Sequence, residues 1–208
     1  FLMEDRKKTN DSQRIHTRLR KNFNLITNIT SISIVLAIIL IVFTSVQFNH
    51  SLKSYGFIQG DIGKAMTVFA DSRSALRAVI GYLDAGSISE QQEIYFDKRD
   101  SFTTYFNSIT EQCNYSEAKK ICDNISSVID DYWTLSDEII RQGATSDVNA
   151  SNNAQRLEMN KLTPEYDTIY GYMKQLMDCY VTKGNAYKRQ LNIIEFVCIA
   201  VILLLIAA

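Results

Sequence analysis

Proline and glycine are scarce in this chain of 208 residues, which contains one proline, Pro164, and eight glycines. Sandwiches and barrels need the frequent turns that these two residues provide, so their scarcity argues against a β architecture and predicts long helices. A hydrophobic fraction of 46% excludes disorder as the overall state. The net charge of −1 argues against nucleic acid as the main partner.

Histidine is equally rare, because His16 and His50 are the only two. Both lie beside the first long apolar run, so the polar middle of the chain offers no histidine for a catalytic triad or a zinc site. The glycines Gly56, Gly60 and Gly63 fall within a helical pattern and do not form a phosphate-binding loop. We therefore expect no catalytic residue, no metal and no cofactor, and the chain is predicted not to be an enzyme.

Two runs of mostly apolar residues contain no charged residue. The first, Leu25–Phe48, is 24 residues long, which corresponds to about 36 Å of helix and is enough to span a bilayer with some tilt. A cleavable signal peptide is the alternative, but the length of the run and the lack of a small-residue cleavage site favour a retained anchor. The second run, Phe196–Ala208, is too short to span alone, which suggests that the natural protein continues.

The charges around these runs predict an orientation. Residues 1–24 hold seven Lys/Arg against three acids, whereas residues 49–192 hold fifteen Lys/Arg against nineteen acids. Basic residues beside a span stay inside, so 1–24 is predicted to be a cytoplasmic tail and 49–192 an extracytoplasmic domain. Transmembrane helices are predicted at 25–48 and, truncated, at 193–208, in a multi-pass protein of the cell membrane that contacts lipid.

Residues 49–192 contain four stretches in which apolar residues recur three and four apart. Short connections require antiparallel neighbours, so we predict an all-α, up-down-up-down antiparallel four-helix bundle. Its first and fourth helices would be continuous with the transmembrane helices. Predicted breaks are a left-handed C-cap at Gly86, a turn at 114–116, and Gly143 followed by the longest connection, Ala144–Asn153.

Three arginines lie at positions where the helical spacing predicts apolar residues: Arg73, Arg77 and Arg99. The helical rise of about 1.5 Å per residue puts all three in one layer of the bundle. Buried cations are costly unless paired, which leaves two interpretations. The guanidinium groups either receive a ligand carboxylate or pair internally. The nearest carboxylates on the same helices are those of Asp71, Glu93, Asp97 and Asp100.

Two predicted spans that bracket a helical segment resemble the sensor of bacterial methyl-accepting chemotaxis proteins. The best local matches are Asp71–Arg77 with Gly81–Asp84, and Lys161–Asp167 at the opening of helix four. The resemblance implies a homodimeric receptor for a small extracellular ligand, an amino acid or organic anion, or for a solute-binding protein. It also implies that a missing C-terminal part signals to the chemotaxis histidine kinase and coupling protein.

The same resemblance indicates a candidate site. Arg73 and Arg77 match two arginines of related receptors, and Thr163 lies in the opening turn of helix four. A third expected arginine falls near Val68, so ligand identity does not carry over. Two further sets of candidates come from the residues themselves. Arg99 belongs to the same predicted layer, and Tyr166 and Tyr170, which follow Pro164, either line the pocket or belong to the core and its rim.

Other function classes remain open. The sensor of a membrane histidine kinase or cyclic-dinucleotide enzyme would show the same pattern, since such enzymes carry the same module. A non-sensing membrane helical scaffold is the third alternative, and it would bind no ligand.

The positions of the cysteines allow one disulfide in the polar middle of the chain. Cys113 and Cys122 flank the turn between predicted helices two and three, where a disulfide could form. Free thiols in a reducing habitat are the alternative.

Overall fold

The computed structural model describes residues 2–207, and their side chains from residue 14 onward. No strand occurs in this range, which confirms the all-α prediction. The basic side chains of Arg6, Lys7 and Lys8 in the predicted tail, and Ala208 at the end of the second apolar run, lie outside it. The helices are α1 Leu2–Ser51, α2 Phe57–Gly81, α3 Ala85–Gln112, α4 Ser116–Gly143, α5 Val148–Leu157 and α6 Thr163–Ala207.

Two π-helical turns join neighbouring helices without a break. Leu52–Gly56 connects α1 to α2, and Glu158–Leu162 connects α5 to α6. The second turn closes through the Thr163 N–H, which donates to the Glu158 carbonyl. Pro164 follows and has no N–H to donate, so the widened turn lies where a regular α-helical ladder would lack a donor.

The described chain forms two compact units. One is Ser51–Ala186, and the other combines the chain up to His50 with the chain from Tyr187 onward. In the second unit the Tyr187 hydroxyl donates to the Gln47 side-chain oxygen, and the Tyr187 and His50 rings lie 5.8 Å apart.

Two helical stretches, Arg14–Gly81 and Val148–Ala207, are long and apolar enough to span a membrane. Their apolar runs are exposed to an unusual degree for such side chains: Ile41 is 68% and Phe196 74% exposed. This exposure fits a membrane protein, since apolar surface of this extent is otherwise buried.

The predicted cap at Gly86 was wrong. Helix α2 ends at Gly81, and the Asp84 carboxylate caps α3 by accepting a hydrogen bond from the Ser87 N–H at 2.8 Å. Gly86 therefore lies in the first turn of α3, and no glycine in the described range has a positive φ. The break needs no left-handed glycine, because the extended backbone of Tyr82 (φ −80°, ψ 151°) takes the chain out of α2.

The long connection predicted at Ala144–Asn153 is mostly helical. Gly143 does end α4, but Asp147 then caps α5 by accepting from the Asn149 N–H at 2.8 Å. Helix α5 is short and polar, yet Ser151 and Ala154 are buried against Ile80 of α2 and Gly143. Tertiary packing of this small face stabilises a helix that composition alone does not predict.

The core of the larger unit contains a cluster of aromatic rings. Phe69 of α2 is fully buried and contacts rings from three other helices. Its ring centroid lies 5.2 Å from Phe102 of α3, 5.7 Å from Trp133 of α4 and 4.9 Å from Tyr166 of α6. Four helices therefore meet at one side chain.

Gly143 lies at a close contact between α4, α5 and α2. A Cβ added there would lie 2.5 Å from the Ala154 Cβ and 2.6 Å from the Ile80 Cγ2. We expect Gly143→Ala to lower the free energy of unfolding by about 1–3 kcal/mol, because the added methyl group overpacks the contact. Gly60→Ala is the matched control, since no atom lies within 4 Å of its added Cβ, and it should raise that free energy by about 0.5–1 kcal/mol. Thermal unfolding of both variants, followed by circular dichroism, tests this ordering, and equal stabilities would contradict it.

Candidate functional site

Two of the predicted arginines converge on one carboxylate. Arg73 Nε donates to Glu158 Oε1 at 3.2 Å. Arg77 binds the same carboxylate with two donors, Nε to Oε1 at 2.9 Å and a terminal nitrogen to Oε2 at 3.3 Å. Helix α2 supplies both arginines, one helical turn apart, and the π-helical turn before α6 supplies the carboxylate.

Thr163 and Tyr166 complete the cluster around Arg73. A terminal nitrogen of Arg73 donates to Thr163 Oγ1 at 2.7 Å, and this hydroxyl donates to Glu158 Oε1 at 3.2 Å. The guanidinium carbon lies 4.2 Å from the centre of the Tyr166 ring, within cation–π range. The structure therefore brings four of the predicted site residues together with Glu158, which the sequence analysis did not identify, at the start of α6. We call Arg73, Arg77, Glu158, Thr163 and Tyr166 the arginine cluster.

Tyr170 lies at the edge of this cluster. Its ring stacks on Tyr166 with centroids 5.5 Å apart, and Lys174 Nζ lies 5.1 Å from its centre on the same helix. Tyr166 in turn stacks on Phe69. The predicted tyrosines thus link the cluster to the core, and only part of each ring is exposed.

The cluster carries unbalanced charge. Two guanidinium groups face one carboxylate, and the Glu158 side chain is only 3% exposed. The Arg73 side chain is 13% exposed, whereas Arg77 is 51% exposed. The excess positive charge is therefore reachable from solvent at Arg77, where a guanidinium fork can accept a second carboxylate.

Arg99 does not join the cluster. One of its terminal nitrogens binds both carboxylate oxygens of Asp137 on α4, at 2.9 and 2.8 Å, and Tyr95 donates to the same carboxylate at 3.2 Å. Its guanidinium lies 5.4 Å from the centre of the Trp133 ring. The cluster therefore contains two of the three predicted arginines, and Arg99 pairs internally with Asp137 instead.

The internal partners also differ from those predicted. Glu158 and Asp137 come from other helices, while Asp97 pairs with its neighbour Lys98 at 3.3 Å. Glu158 lies four residues before buried Leu162 and eight before Tyr166, which is apolar spacing. A carboxylate in an apolar position was the signal that could have identified Glu158. Asp137 carries no comparable sequence signal, because it does not occupy an apolar position of its helix. Its side chain is half-exposed in the structure.

Glu165, in the first turn of α6, has a carboxylate oxygen, Oε2, that is buried and lacks a hydrogen-bond partner. Burial and the nearby Asp131 carboxylate raise the pKa of Glu165. Glu165 is therefore easier to protonate than an ordinary surface glutamate, and it adjoins the cluster without pairing to its arginines.

The predicted disulfide pair is adjacent. The Cys113 and Cys122 sulfurs lie 3.4 Å apart as free thiols, both buried. Among the described side chains, no group of three or more His, Cys, Asp and Glu residues could hold a metal ion.

Comparison with known protein families, curated proteins and solved structures finds no match to this chain. Its function must therefore be inferred from the contacts of its own residues. The arginine cluster is the best candidate site, because it combines buried charge, an accessible guanidinium group and a position at the start of α6.

Proposed function

We propose that this chain is the sensor and transmembrane region of a bacterial chemoreceptor of the methyl-accepting type. It detects a small extracellular solute and transmits the signal across the cell membrane. The observation that carries the proposal is the composition of α6, which holds Thr163 and Tyr166 of the arginine cluster at one end and the second apolar run at the other. One helix thereby joins a charged site to a membrane-spanning sequence.

The proposed architecture is an up-down-up-down antiparallel four-helix bundle outside the membrane. Three-residue connections on either side of α3 support it, at 82–84 and 113–115, because short connections favour antiparallel neighbours. The meeting of four helices at Phe69 also supports it. The excess of Lys/Arg before the first apolar run supports a cytoplasmic amino terminus and an extracytoplasmic domain at 49–192.

The proposed ligand is an amino acid or organic anion, because the cluster has one more cation than anion. A ligand carboxylate binds first to the exposed fork of Arg77 and then competes with Glu158 for the arginine pair. In a homodimer, residues from the second copy complete the site. A docked solute-binding protein that presents a carboxylate would act on the same groups.

Signal transmission follows from the position of Glu158. It begins the π-helical turn Glu158–Leu162, and such turns are often found at functional sites. Releasing Glu158 from the arginines frees this turn to repack, and α6 then shifts along or about its axis. Packed helices hold such shifts as discrete states. The C-terminal part beyond Ala208 would pass the change to the chemotaxis histidine kinase and coupling protein.

A non-sensing membrane scaffold is the second candidate, and the internal pairing of both arginines with Glu158 favours it. In that case Glu158 is a permanent structural partner and no solute competes with it. The sensor of a histidine kinase or cyclic-dinucleotide enzyme would use the same mechanism with a different output domain. The sequence that follows Ala208 separates these receptors from each other.

Thermal unfolding of the full chain in detergent micelles, against a panel of amino acids and organic acids, tests the proposal. We expect at least one carboxylate-bearing solute to raise the melting temperature, because a ligand that binds only the folded state stabilises it. Arg77→Ala should abolish that rise, since it removes the exposed guanidinium fork.

Arg141→Ala is the matched control, because Arg141 is exposed on α4 and outside the cluster. It should retain the full solute-dependent rise. If no solute of the panel raised the melting temperature, the result would favour the scaffold. An unchanged rise in the melting temperature of Arg77→Ala would exclude the arginine cluster as the ligand site.

A further inference from the structure

A thiol pair that the proposed sensing mechanism does not use lies where α3 connects to α4. Cys113 follows the last residue of α3 and has an extended backbone, while Cys122 lies in the second turn of α4. Their sulfurs are 3.4 Å apart, compared with about 2.05 Å in a disulfide. Because Cys113 lies outside any helix, a small backbone adjustment can close this gap.

The surroundings of the two thiols differ, and this gives each a separate chemical role. Cys113 accepts a hydrogen bond from the Tyr180 hydroxyl of α6 at 3.4 Å. Hydrogen bonding from Cys122 and from Tyr180 lowers the pKa of Cys113, whereas the same thiol contact raises the pKa of Cys122. The charged groups nearby are Lys119, which acts to lower the pKa of Cys113, and Asp123, which acts to raise it. A thiol with a lowered pKa is the better nucleophile in exchange.

We propose that Cys113 and Cys122 form a reversible, redox-active disulfide, with Cys113 as the attacking thiol. The oxidant is a small or protein disulfide. The Cys113 thiolate attacks one of its sulfurs, a mixed disulfide forms, and the first leaving thiolate takes up a proton. Cys122 then loses its proton and attacks the Cys113 sulfur, releasing the second thiol. Two protein thiols are oxidised by two electrons, and one external disulfide is reduced to two thiols.

Access to the buried pair comes from its position at the end of a helix. Cys113 opens the three-residue connection Cys113–Tyr115, and Asn114 beside it is exposed. Local opening of such a connection requires far less than global unfolding. Tyr180 belongs to α6, so the oxidation state of Cys113 also changes a hydrogen bond made by that helix. Formation of the disulfide itself does not depend on the proposed sensing function.

The test uses the full chain in detergent micelles, equilibrated with buffers of increasing ratio of oxidised to reduced glutathione. After acid quenching and denaturation, free thiols are alkylated and the peptides are identified by mass spectrometry. We expect two of the four cysteines to become protected, joined as Cys113–Cys122, and to be recovered after reduction. In Cys122→Ser, Cys113 should instead accumulate one glutathione adduct, because the second attack is lost.

A double variant, Cys179→Ser with Cys198→Ser, is the control and should form the same link to the same extent. Guanidinium-unfolded chain in the same buffers should give a mixture of pairings. Four alkylated thiols at the most oxidising ratio would overturn the proposal. So would a link from Cys113 to Cys179 in the folded chain, or a Cys122→Ser variant that resists glutathione.

Discussion

Phe69→Ala is expected to lower the free energy of unfolding by about 3–5 kcal/mol, the range found for truncating a buried aromatic side chain. Phe69 is fully buried, and its ring contacts Phe102, Trp133 and Tyr166 on three other helices. Few neighbours can relax into the space, since Phe102 and Trp133 also pack against each other and Tyr166 stacks on Tyr170. The variant therefore loses both the transfer free energy of the ring and the contacts of α2 with α3, α4 and α6 at this side chain.

Trp133 provides the measurement. It is the single tryptophan of the chain, it is buried, and its ring lies against Phe69. Unfolding of the full chain in detergent, followed by the fluorescence of Trp133, should show the lower free energy of unfolding of Phe69→Ala directly. Phe57→Ala on the same helix is the control, because Phe57 is 59% exposed, and its effect should stay within about 0.5 kcal/mol. Equal effects of the two substitutions would contradict the proposed core.

Glu158→Ala is expected to lower the free energy of unfolding by about 3 kcal/mol. Breaking a buried ion pair typically costs about 3–5 kcal/mol because one charge is left without a partner. Here Arg73 would keep Thr163 and the Tyr166 ring, but no carboxylate, in a site where its side chain is 13% exposed. The half-exposed Arg77 can turn to solvent, which places the expected cost at the lower end of that range.

Asp137→Ala is the matched control for Glu158→Ala. It breaks another arginine–carboxylate pair, but Asp137 and Arg99 are 46% and 30% exposed, so water replaces much of the interaction. We expect a loss of about 1–2 kcal/mol, because the exposed ion pair contributes only about 0–1 kcal/mol and the Tyr95 hydroxyl loses its acceptor. Equilibrium unfolding of both variants should give this order, and a Glu158→Ala variant as stable as the native chain would show that Glu158 is not held by the arginines.

The helices could be predicted from the sequence because their information is local. Apolar residues three and four apart identify the buried faces that contain Phe69, Phe102 and Ile125, all buried in the structure. The position of Gly143 as a helix end was also predicted correctly. Gly86 misled because a glycine near a break can belong to the end of one helix or to the start of the next, and here it lies in the first turn of α3.

The partners of the arginines could not be predicted, because they depend on which helices meet. Arg73 and Arg77 were expected to find carboxylates on α2 or α3, but Glu158 lies more than eighty residues away along the chain. The predicted connection Ala144–Asn153 includes the first six residues of α5, so the sequence analysis does not identify the helix that leads into Glu158. Sequence spacing gives the face of a helix but not the neighbour that covers it.

The central claim is that an external carboxylate competes with Glu158 for the arginine pair. The most direct test compares wild type and Glu158→Gln by the solute concentration that gives half of the maximal rise in melting temperature. The account predicts a lower concentration in Glu158→Gln, because the variant no longer neutralises the arginines, and no rise in Arg77→Ala. An unchanged or higher concentration in Glu158→Gln, or a full rise in Arg77→Ala, would contradict it.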